Sequence, residues 1–347
     1  MDNLHRDTEL AKESLRNAVN VDISQDGSPR RRPGRTERIA GDVHSTWSDG
    51  NILLAVVGNT LTKITVNPTT GALTQTVLRS GLAPGVPLTY TEVNGEVYYS
   101  NGAITGKIVN GATTPWGIET PAALPVLTAS SNGGLLAGTY QVALTYASAS
   151  GEESGAGPGV AATLSTGQAI TVSGIPQPVD PGVSRIRIYR TGPNGEVFYL
   201  HGTYAVGTTS TVLSQSATLG ERLQTQFLIP APPGQAIEQF NGVIYIAQGH
   251  VLWYTEPLRY GLIHPDNFIP FPGDIDILAA ATTGIYAVAD QHYYLGGADP
   301  KKMTLVAKLP FGAVRGTLAR LPYSQSHIGS RRTSKLAATK ESGAVWM

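Results

Sequence analysis

The chain has 347 residues, in which 25 Lys and Arg balance 25 Asp and Glu, so no net charge draws the whole molecule onto nucleic acid or an anionic membrane. It contains no cysteine, which excludes a disulfide framework, a thiolate nucleophile and a Cys-ligated metal. The 40 glycines and 23 prolines, with 14% charged residues, are typical of many short strands joined by tight turns.

The first predicted element in chain order is an amphipathic helix over Arg6–Val19. We expect residues 1–19 to form a short helical docking arm. The charged start, "MDNLHRDTELAKESL", is unlike a signal peptide, and no run approaches the roughly 18 apolar residues of a membrane span. The sequence therefore predicts a soluble protein without an export signal or membrane insertion.

A short strand and an arginine cluster follow, in "NVDISQDGSPRRRPGR". Asn20–Ser24 predicts the first strand of the repeated region, and Asp26-Gly27 a tight turn. Two prolines bracket the arginines, which favours an edge strand or a loop. The candidate interface residues are Asn20, Asp22, Arg30, Arg31, Arg32 and Arg35. Three roles remain open: contact with another subunit or adaptor, a solvated edge that prevents unwanted strand pairing, and contact with DNA phosphates.

A weak internal repeat of turn, apolar strand, tight turn and second strand recurs four times. Its anchors are Gly50, Gly95, Gly242 and Gly284, separated by 45, 147 and 42 residues. The outer spacings match one β-propeller blade of roughly 40 to 50 residues. The long gap exceeds one blade by about 100 residues, the size of an immunoglobulin-like sandwich. Proline-rich boundaries at "TPAALP" and "IPAPPG" flank this predicted insert.

These patterns predict an all-β fold: β-propeller-like blades, incomplete in number, with an inserted immunoglobulin or fibronectin type III-like sandwich and a short N-terminal helix. The predicted ranges are 20–123 for the first propeller part, 124–226 for the insert, 227–312 for the second propeller part and 313–347 for a basic tail or final strand. The basic tail supplies three further candidates for contact with DNA or a partner: Arg331, Arg332 and Lys335.

Residues with catalytic potential do not form a recognisable motif. None of the seven histidines has metal-ligand spacing, and "GAGPG" lacks the lysine of a phosphate loop. Asp274 and Asp276 would share one face of a strand and could hold a sugar or a cation. The tyrosine-rich strands suit packing between blades, or alternatively a carbohydrate platform or subunit interface. We expect no enzyme activity, no metal and no cofactor.

One segment also resembles a known family. "SLRNAVNVDISQDGSPRRRPG" is similar to the amino-terminal signature of tailed-bacteriophage virion proteins. "TYQVALTYASASGEESGAG" with "SRIRIYRT" looks like the inserted sandwich of those proteins, and "PPGQAIEQFNGVIYIAQGHVLWYTEPLRYGL" like the blade after it. The resemblance extends to about residue 300, and the carboxyl end departs from it because the chain stops where another blade is expected.

The resemblance implies a structural role, similar to that of the tail nozzle proteins of short-tailed phages. The implied partners are further copies of the chain in a cyclic ring, taken as a hexamer, a head-tail adaptor or other tail proteins, and DNA in passage. The implied location is the virion tail, assembled in the host cytoplasm. Two alternatives are a carbohydrate-binding adhesin, using loops near Glu152 and Glu153 or the tyrosine-rich blades, and a glycan-cleaving enzyme that uses Asp274 and Asp276.

Overall fold

The computed structural model describes residues 21–23, 28–32, 34, 36–50, 52–215, 217–321 and 344–346. The predicted helix Arg6–Val19 lies outside these residues. The chain divides into two units, Met1–Gly41 and Asp42–Met347. The described part is all-β, as predicted, with many small antiparallel sheets and one 3-10 turn at Pro300–Lys302. No helix in that part is long and apolar enough to span a membrane.

The first unit contains a two-stranded antiparallel sheet of β1 (Val21–Ile23) and β2 (Pro29–Arg31). β1 is predicted to be the first strand of the repeated sheets, but among the described residues it pairs with β2 and with no strand of those sheets. The two strands are close in the sequence, and Ile23 pairs with Pro29 at the end of the register. Pro29 begins β2, the strand position that proline tolerates.

In the second unit, the segment before the insert forms two four-stranded meanders, in which each strand pairs with the next one along the chain. The strands of the first sheet are β3 (Val43–Ser48), β4 (Leu53–Val57), β5 (Thr60–Val66) and β6 (Leu73–Arg79). Those of the second sheet are β7 (Thr89–Val93), β8 (Glu96–Ser100), β9 (Thr105–Val109) and β10 (Ala112–Thr114).

The predicted insert is a sandwich of two sheets, with strand orders β11-β14-β17 and β13-β12-β15-β16. Its strands are β11 (Val126–Leu135), β12 (Gly138–Ser148), β13 (Val160–Leu164), β14 (Gln168–Ser173), β15 (Val183–Arg190), β16 (Tyr199–Ala205) and β17 (Ser210–Leu213). One apolar core joins the two sheets, with Val142 and Leu144 from β12 and Ile170 and Val172 from β14. Alternation along both strands directs these side chains inward.

Two more four-stranded meanders follow the sandwich. The third sheet contains β19 (Ala236–Phe240), β20 (Val243–Gln248), β21 (Val251–Tyr254) and β23 (Phe268–Pro270), and the fourth contains β24 (Ile277–Ala281), β25 (Gly284–Val288), β26 (His292–Gly296) and β27 (Thr304–Leu309). Short pairs are formed by β18 (Ile229–Pro230) with β22 (Leu262–Ile263), and by β28 (Ala319–Leu321) with β29 (Ala344–Trp346).

The predicted repeat corresponds to these four meanders. Each anchor glycine lies at the turn from the first strand of a sheet into its second, or begins that second strand. At Asn94-Gly95 and Asn241-Gly242 both turn residues have positive φ, between 49° and 79°. Asn-Gly favours this two-residue hairpin because glycine has no Cβ and asparagine tolerates left-handed backbone.

Neighbouring meanders are held together by shared apolar cores. Leu54 of the first sheet packs in one core with Tyr99 of the second, and Tyr245 of the third packs in one with Leu295 of the fourth. Tyr98 of the second sheet shares a core with Ile244 of the third, although the insert separates them in the sequence. The first strand of the third sheet, β19, lies beside β7 and β24, the first strands of its neighbours. The insert therefore leaves the succession of sheets uninterrupted.

Candidate functional site

A cleft of about 490 Å³ lies where the sandwich meets the second and third meanders. Its lining is unusually rich in charge for a chain with 14% charged residues. Four carboxylates and four cations line it: Glu96, Glu152, Glu153, Glu221, Lys107, Arg187, Arg222 and Arg259. We call this set, with the strands that carry it, the ionic joint.

The first ion-pair group of the joint links the second meander to the sandwich. Lys107 Nζ lies 2.8 Å from Glu152 Oε2 and 3.4 Å from Glu96 Oε2. The lysine side chain is only 10% exposed, so the two carboxylates compensate a nearly buried charge. Because Glu152 belongs to the loop after β12 and Lys107 to β9, the pair joins segments 45 residues apart.

The second ion-pair group lies within the sandwich, on the same cleft. Arg187 NH1 donates to Glu153 Oε2 at 3.2 Å and to Glu221 Oε1 at 2.9 Å. Glu153 is 14% exposed and also accepts from the hydroxyls of Thr145, at 2.5 Å, and Tyr189, at 2.7 Å. This carboxylate is therefore held by three donors as well as by charge.

Strand alternation explains why these residues converge. Glu96 and Tyr98 are two positions apart on β8, and Lys107 pairs directly opposite Tyr98. Arg187 and Tyr189 repeat this spacing on β15, and Thr145 of β12 is the cross-strand partner of Arg187. Residues two apart share a face of a strand, and directly opposed residues have neighbouring Cβ atoms. Local pattern thus builds each half of the joint, and packing of the sheets brings the halves together.

The two tyrosines act as neutral hydrogen-bond donors to the carboxylates. Burial, followed by the hydrogen bond to Glu96 (2.6 Å), raises the pKa of Tyr98 well above its ordinary value. Burial, followed by the hydrogen bond to Glu153, raises the pKa of Tyr189 in the same way. Both phenols consequently keep their protons at every physiological pH.

Close backbone contact fixes the same region. A Cβ added to Gly117 would lie 2.6 Å from the carbonyl oxygen of Gly261, and one added to Gly261 would lie 2.9 Å from Cα of Gly117. The indole Nε1 of Trp116 donates to the carbonyl of Tyr260 at 2.6 Å. The segment that leaves the second meander is thus packed directly against the loop between β21 of the third meander and β22.

A separate buried polar pair lies in the sandwich. Arg190 is 5% exposed and its Nε donates to Nδ1 of His201 at 3.2 Å. Burial and the adjacent guanidinium lower the pKa of His201 to about 4. The imidazole is therefore neutral at pH 7, with Nδ1 as an acceptor.

These contacts form a connection between the sandwich and the meanders. The carboxylates Glu96, Glu152, Glu153 and Glu221 are each paired with a cation. Within the described ranges, no group of three or more His, Cys, Asp or Glu side chains could hold a metal ion. The joint has the donors, acceptors and burial to fix the sandwich on the meanders.

The structure brings the predicted interface residues together in the first unit. Asp22 pairs opposite Arg30 between β1 and β2, and Arg32 Nε lies 2.6 Å from Asp22 Oδ1. Both ion-paired side chains are about half exposed, and Arg30 and Arg31 are exposed. The remaining predicted residues, Asn20, Arg35, Arg331, Arg332 and Lys335, lie outside the described residues.

The candidate carboxylate pair does not lie on a strand face as predicted. Asp274 and Asp276 lie in the loop before β24, on either side of the fully buried Ile275. Asp276 Oδ1 lies 3.6 Å from Arg315 NH2. The alternation of aspartate and isoleucine in "DID" predicts a strand, but these residues belong to a loop. The loop inserts the Ile275 side chain into the core, and the Ile275 N–H donates to the carbonyl oxygen of Gly249.

Most tyrosines of the repeated strands are buried: Tyr98, Tyr99, Tyr245, Tyr254 and Tyr293 are at most 6% exposed. The packing interpretation is confirmed for these five, because they belong to the cores between sheets. Tyr286 and Tyr294 differ: their rings, 4.9 Å apart, are half-buried on the fourth sheet, with Lys308 Nζ 5.5 Å from the Tyr294 ring.

The sequence analysis missed Lys107, Arg187 and Glu221. A signal for the first two was present, since Lys107 in "TGKIV" and Arg187 in "RIRIYR" each precede an isoleucine within a largely buried strand. A charge on a buried strand needs a partner, but the sequence does not name one 34 or 45 residues away.

No family model matches the chain, and no curated protein matches it. Among solved structures, the AfRom2 CNH domain is similar over 86% of this chain and 78% of that chain, at 10% identity and a TM-score of 0.26. At that TM-score the likeness supports no inference about fold or function.

Proposed function

We propose that the chain is a structural subunit of a tailed-bacteriophage virion, in the tail or at the head-to-tail junction, where copies form a ring around the DNA-exit channel. In this proposal the four meanders are blades of an incomplete β-propeller, and the sandwich is its immunoglobulin-like or fibronectin-like insert. The resemblance of "SLRNAVNVDISQDGSPRRRPG" to virion proteins supports the class of protein.

The architecture is compatible with this assignment. A blade is a four-stranded meander, and successive blades meet through their first strands, as β19 does with β7 and β24. Seven strands in two antiparallel sheets are also the number in an immunoglobulin-type sandwich. In the described ranges, no shared core connects the fourth meander to the first, which leaves these two sheets for contacts with other chains.

The observation that carries the proposal is the ionic joint. A subunit in a channel wall must keep its domains in fixed orientation, and the joint provides two ion-pair groups, a buried indole hydrogen bond and a glycine-to-glycine contact. Each of the cleft's four carboxylates is paired with Lys107 or Arg187, so these groups serve the protein's own fold. A structural subunit needs this arrangement, whereas an enzyme needs groups that face a substrate.

The test is replacement of Arg30, Arg31 and Arg32 by Ser in the phage that encodes the chain. We expect particles to lose the protein while the purified variant unfolds at the wild-type temperature, because these arginines are exposed. A charge-matched control is replacement of Lys301, Lys302 and Lys308, three exposed cations on the second unit, by Ser. Wild-type particles that lack the protein in electron micrographs and in gels contradict the proposal.

A carbohydrate-binding adhesin is the second candidate, favoured by the half-buried Tyr286 and Tyr294 rings beside Lys308. Exposed tyrosine rings next to a cation can stack on a sugar. Binding of the purified chain to a glycan array, lost in Tyr286→Ala with Tyr294→Ala, supports this role. If the wild-type chain binds no glycan on the array, the adhesin role is contradicted.

A further inference from the structure

Two turns near the ionic joint expose large apolar side chains in a backbone conformation that favours glycine. Phe227 has φ of +64° and is 70% exposed, and Leu258 has φ of +61° and is 74% exposed. The other six non-glycine residues with positive φ in the described ranges are asparagines and one serine. Asparagine tolerates this region, but a bulky side chain there is an outlier.

The two turns have the same construction. Each is closed by a backbone hydrogen bond over four residues, from Leu228 N–H to Thr225 C=O at 3.2 Å and from Arg259 N–H to Glu256 C=O at 3.0 Å. Phe227 and Leu258 each occupy the third position, where positive φ selects glycine. A left-handed L-residue costs about 1–2 kcal/mol, and these exposed side chains recover little of that by burial.

The two turns line one cleft of about 710 Å³. Gln226 and Leu228, on either side of Phe227, contribute to the lining, as do Pro257 and Arg259, on either side of Leu258. Arg259 donates to the Gln224 side chain across it. Backbone strain of this kind is concentrated at sites of interaction, so the outliers point to a contact surface.

Two arginines near these turns have no ion-pair partner in the described ranges, while Glu256 and Asp266 also line the 710 Å³ cleft. Arg222 and Arg259 are two of only five basic residues in 121–300, a range with twelve acidic ones. Both line the cleft of the ionic joint, yet no ion pair of either is found in the part of the chain that the structure describes. Two apolar anchors beside two arginines therefore match an acidic surface with an apolar recess.

We propose that Phe227 and Leu258, with Arg222 and Arg259 beside them, form the contact by which the chain binds a second copy of itself. The inference rests on the proposed ring. A second copy has the complementary charge, because the same range, 121–300, has seven more acids than bases. In a heterologous ring contact each subunit presents this patch to a different surface of the next subunit.

The experiment compares the full-length wild-type chain with a Phe227→Gly, Leu258→Gly double variant by sedimentation velocity over a range of concentrations. Glycine fits both turns, so the variant should unfold at or above the wild-type temperature. We expect its self-association to weaken about 10-fold or more, as when central apolar anchors are removed. Arg222→Gln with Arg259→Gln should weaken it as well, and more at low salt.

The matched control is Val179→Ser with Val314→Ser, which removes two side chains that are 90% and 72% exposed but lack left-handed backbone. It should associate like the wild type. Equal association of the glycine variant and the wild type overturns the inference while leaving the ring intact. A wild type that remains monomeric at every concentration also overturns it, and absence from virions separately overturns the proposed function.

Discussion

The ionic joint and the β1-β2 sheet both pair arginine or lysine with carboxylates, but they do so in opposite settings. In the joint, Lys107 is 10% exposed and Arg187 21%, and their partners come from 45 and 34 residues away. In the β1-β2 sheet, Arg32 and Asp22 are 49% and 60% exposed and lie ten residues apart.

Buried charges in the joint stabilise the fold, whereas exposed charges in the β1-β2 sheet are available to a partner. A buried ion is stable only with its counter-ions, so loss of one joint residue leaves another charge unpaired in a poor solvent. An exposed ion is hydrated in any case, so its pair contributes little to folding. The joint is therefore expected to determine stability, and the β1-β2 sheet to determine contacts outside the chain.

The largest effect is expected for Arg187→Met, which leaves Glu153 buried with hydroxyl donors but no cation. We expect the free energy of unfolding in urea to fall by about 2–4 kcal/mol. Adding Glu153→Gln should restore part of that loss, because the unpaired charge is then gone. If Arg187→Met alone is as stable as the wild type, the joint does not differ from the β1-β2 sheet in its contribution to folding.

The next effect is expected for Gly117→Ala, which places a Cβ against the Gly261 carbonyl at the joint. Overpacking of this kind costs about 1–3 kcal/mol, and protease cleavage near residues 117 and 261 should accelerate. Gly192→Ala is the control, since nothing lies within 4 Å of its added Cβ and its φ is not positive. Equal cleavage of both variants contradicts close packing at the joint.

A smaller effect concerns pH. The folded pKa of His201, about 4, lies below the unfolded value of 6.5, so the unfolded chain binds the proton more readily. The stabilisation is present above pH 6.5 and is lost as the pH falls towards 4. At a half-buried ring this amounts to about 1–2 kcal/mol after allowance for solvent screening.

This pH dependence can be assigned with His201→Gln. Thermal unfolding of the wild type should weaken from pH 7 to pH 4.5 more than that of the variant, because glutamine does not titrate. Parallel pH profiles for the two chains would show that the imidazole is accessible to protons in the folded state.

The smallest effect is expected for Arg32→Ser, which removes the exposed pair with Asp22. We expect the free energy of unfolding to change by less than about 1 kcal/mol, measured beside Arg187→Met under the same conditions. A loss as large as that of Arg187→Met would mean that the β1-β2 sheet serves the fold as the joint does.

Much of the fold could be predicted from local pattern. Period-two alternation and turn residues such as Asn241-Gly242 indicated the strands and hairpins, because both depend on neighbours in the chain. The distance between Gly95 and Gly242 predicts about 100 additional residues, and seven strands in two sheets lie between the second and third meanders. The same reasoning failed where one pattern fits both a strand and a loop. At Asp274 and Asp276 the alternation belongs to a loop whose Ile275 side chain is buried.

The sequence alone determined the all-β class and the four repeated hairpins, since strand pattern and turn chemistry act over a few residues. Only the tertiary structure decided that Lys107 meets Glu152, that Gly117 meets Gly261, and that the turns of Phe227 and Leu258 line one cleft. These contacts join segments brought together by sheet packing, and packing depends on the burial of whole faces, which the sequence around any one residue does not specify.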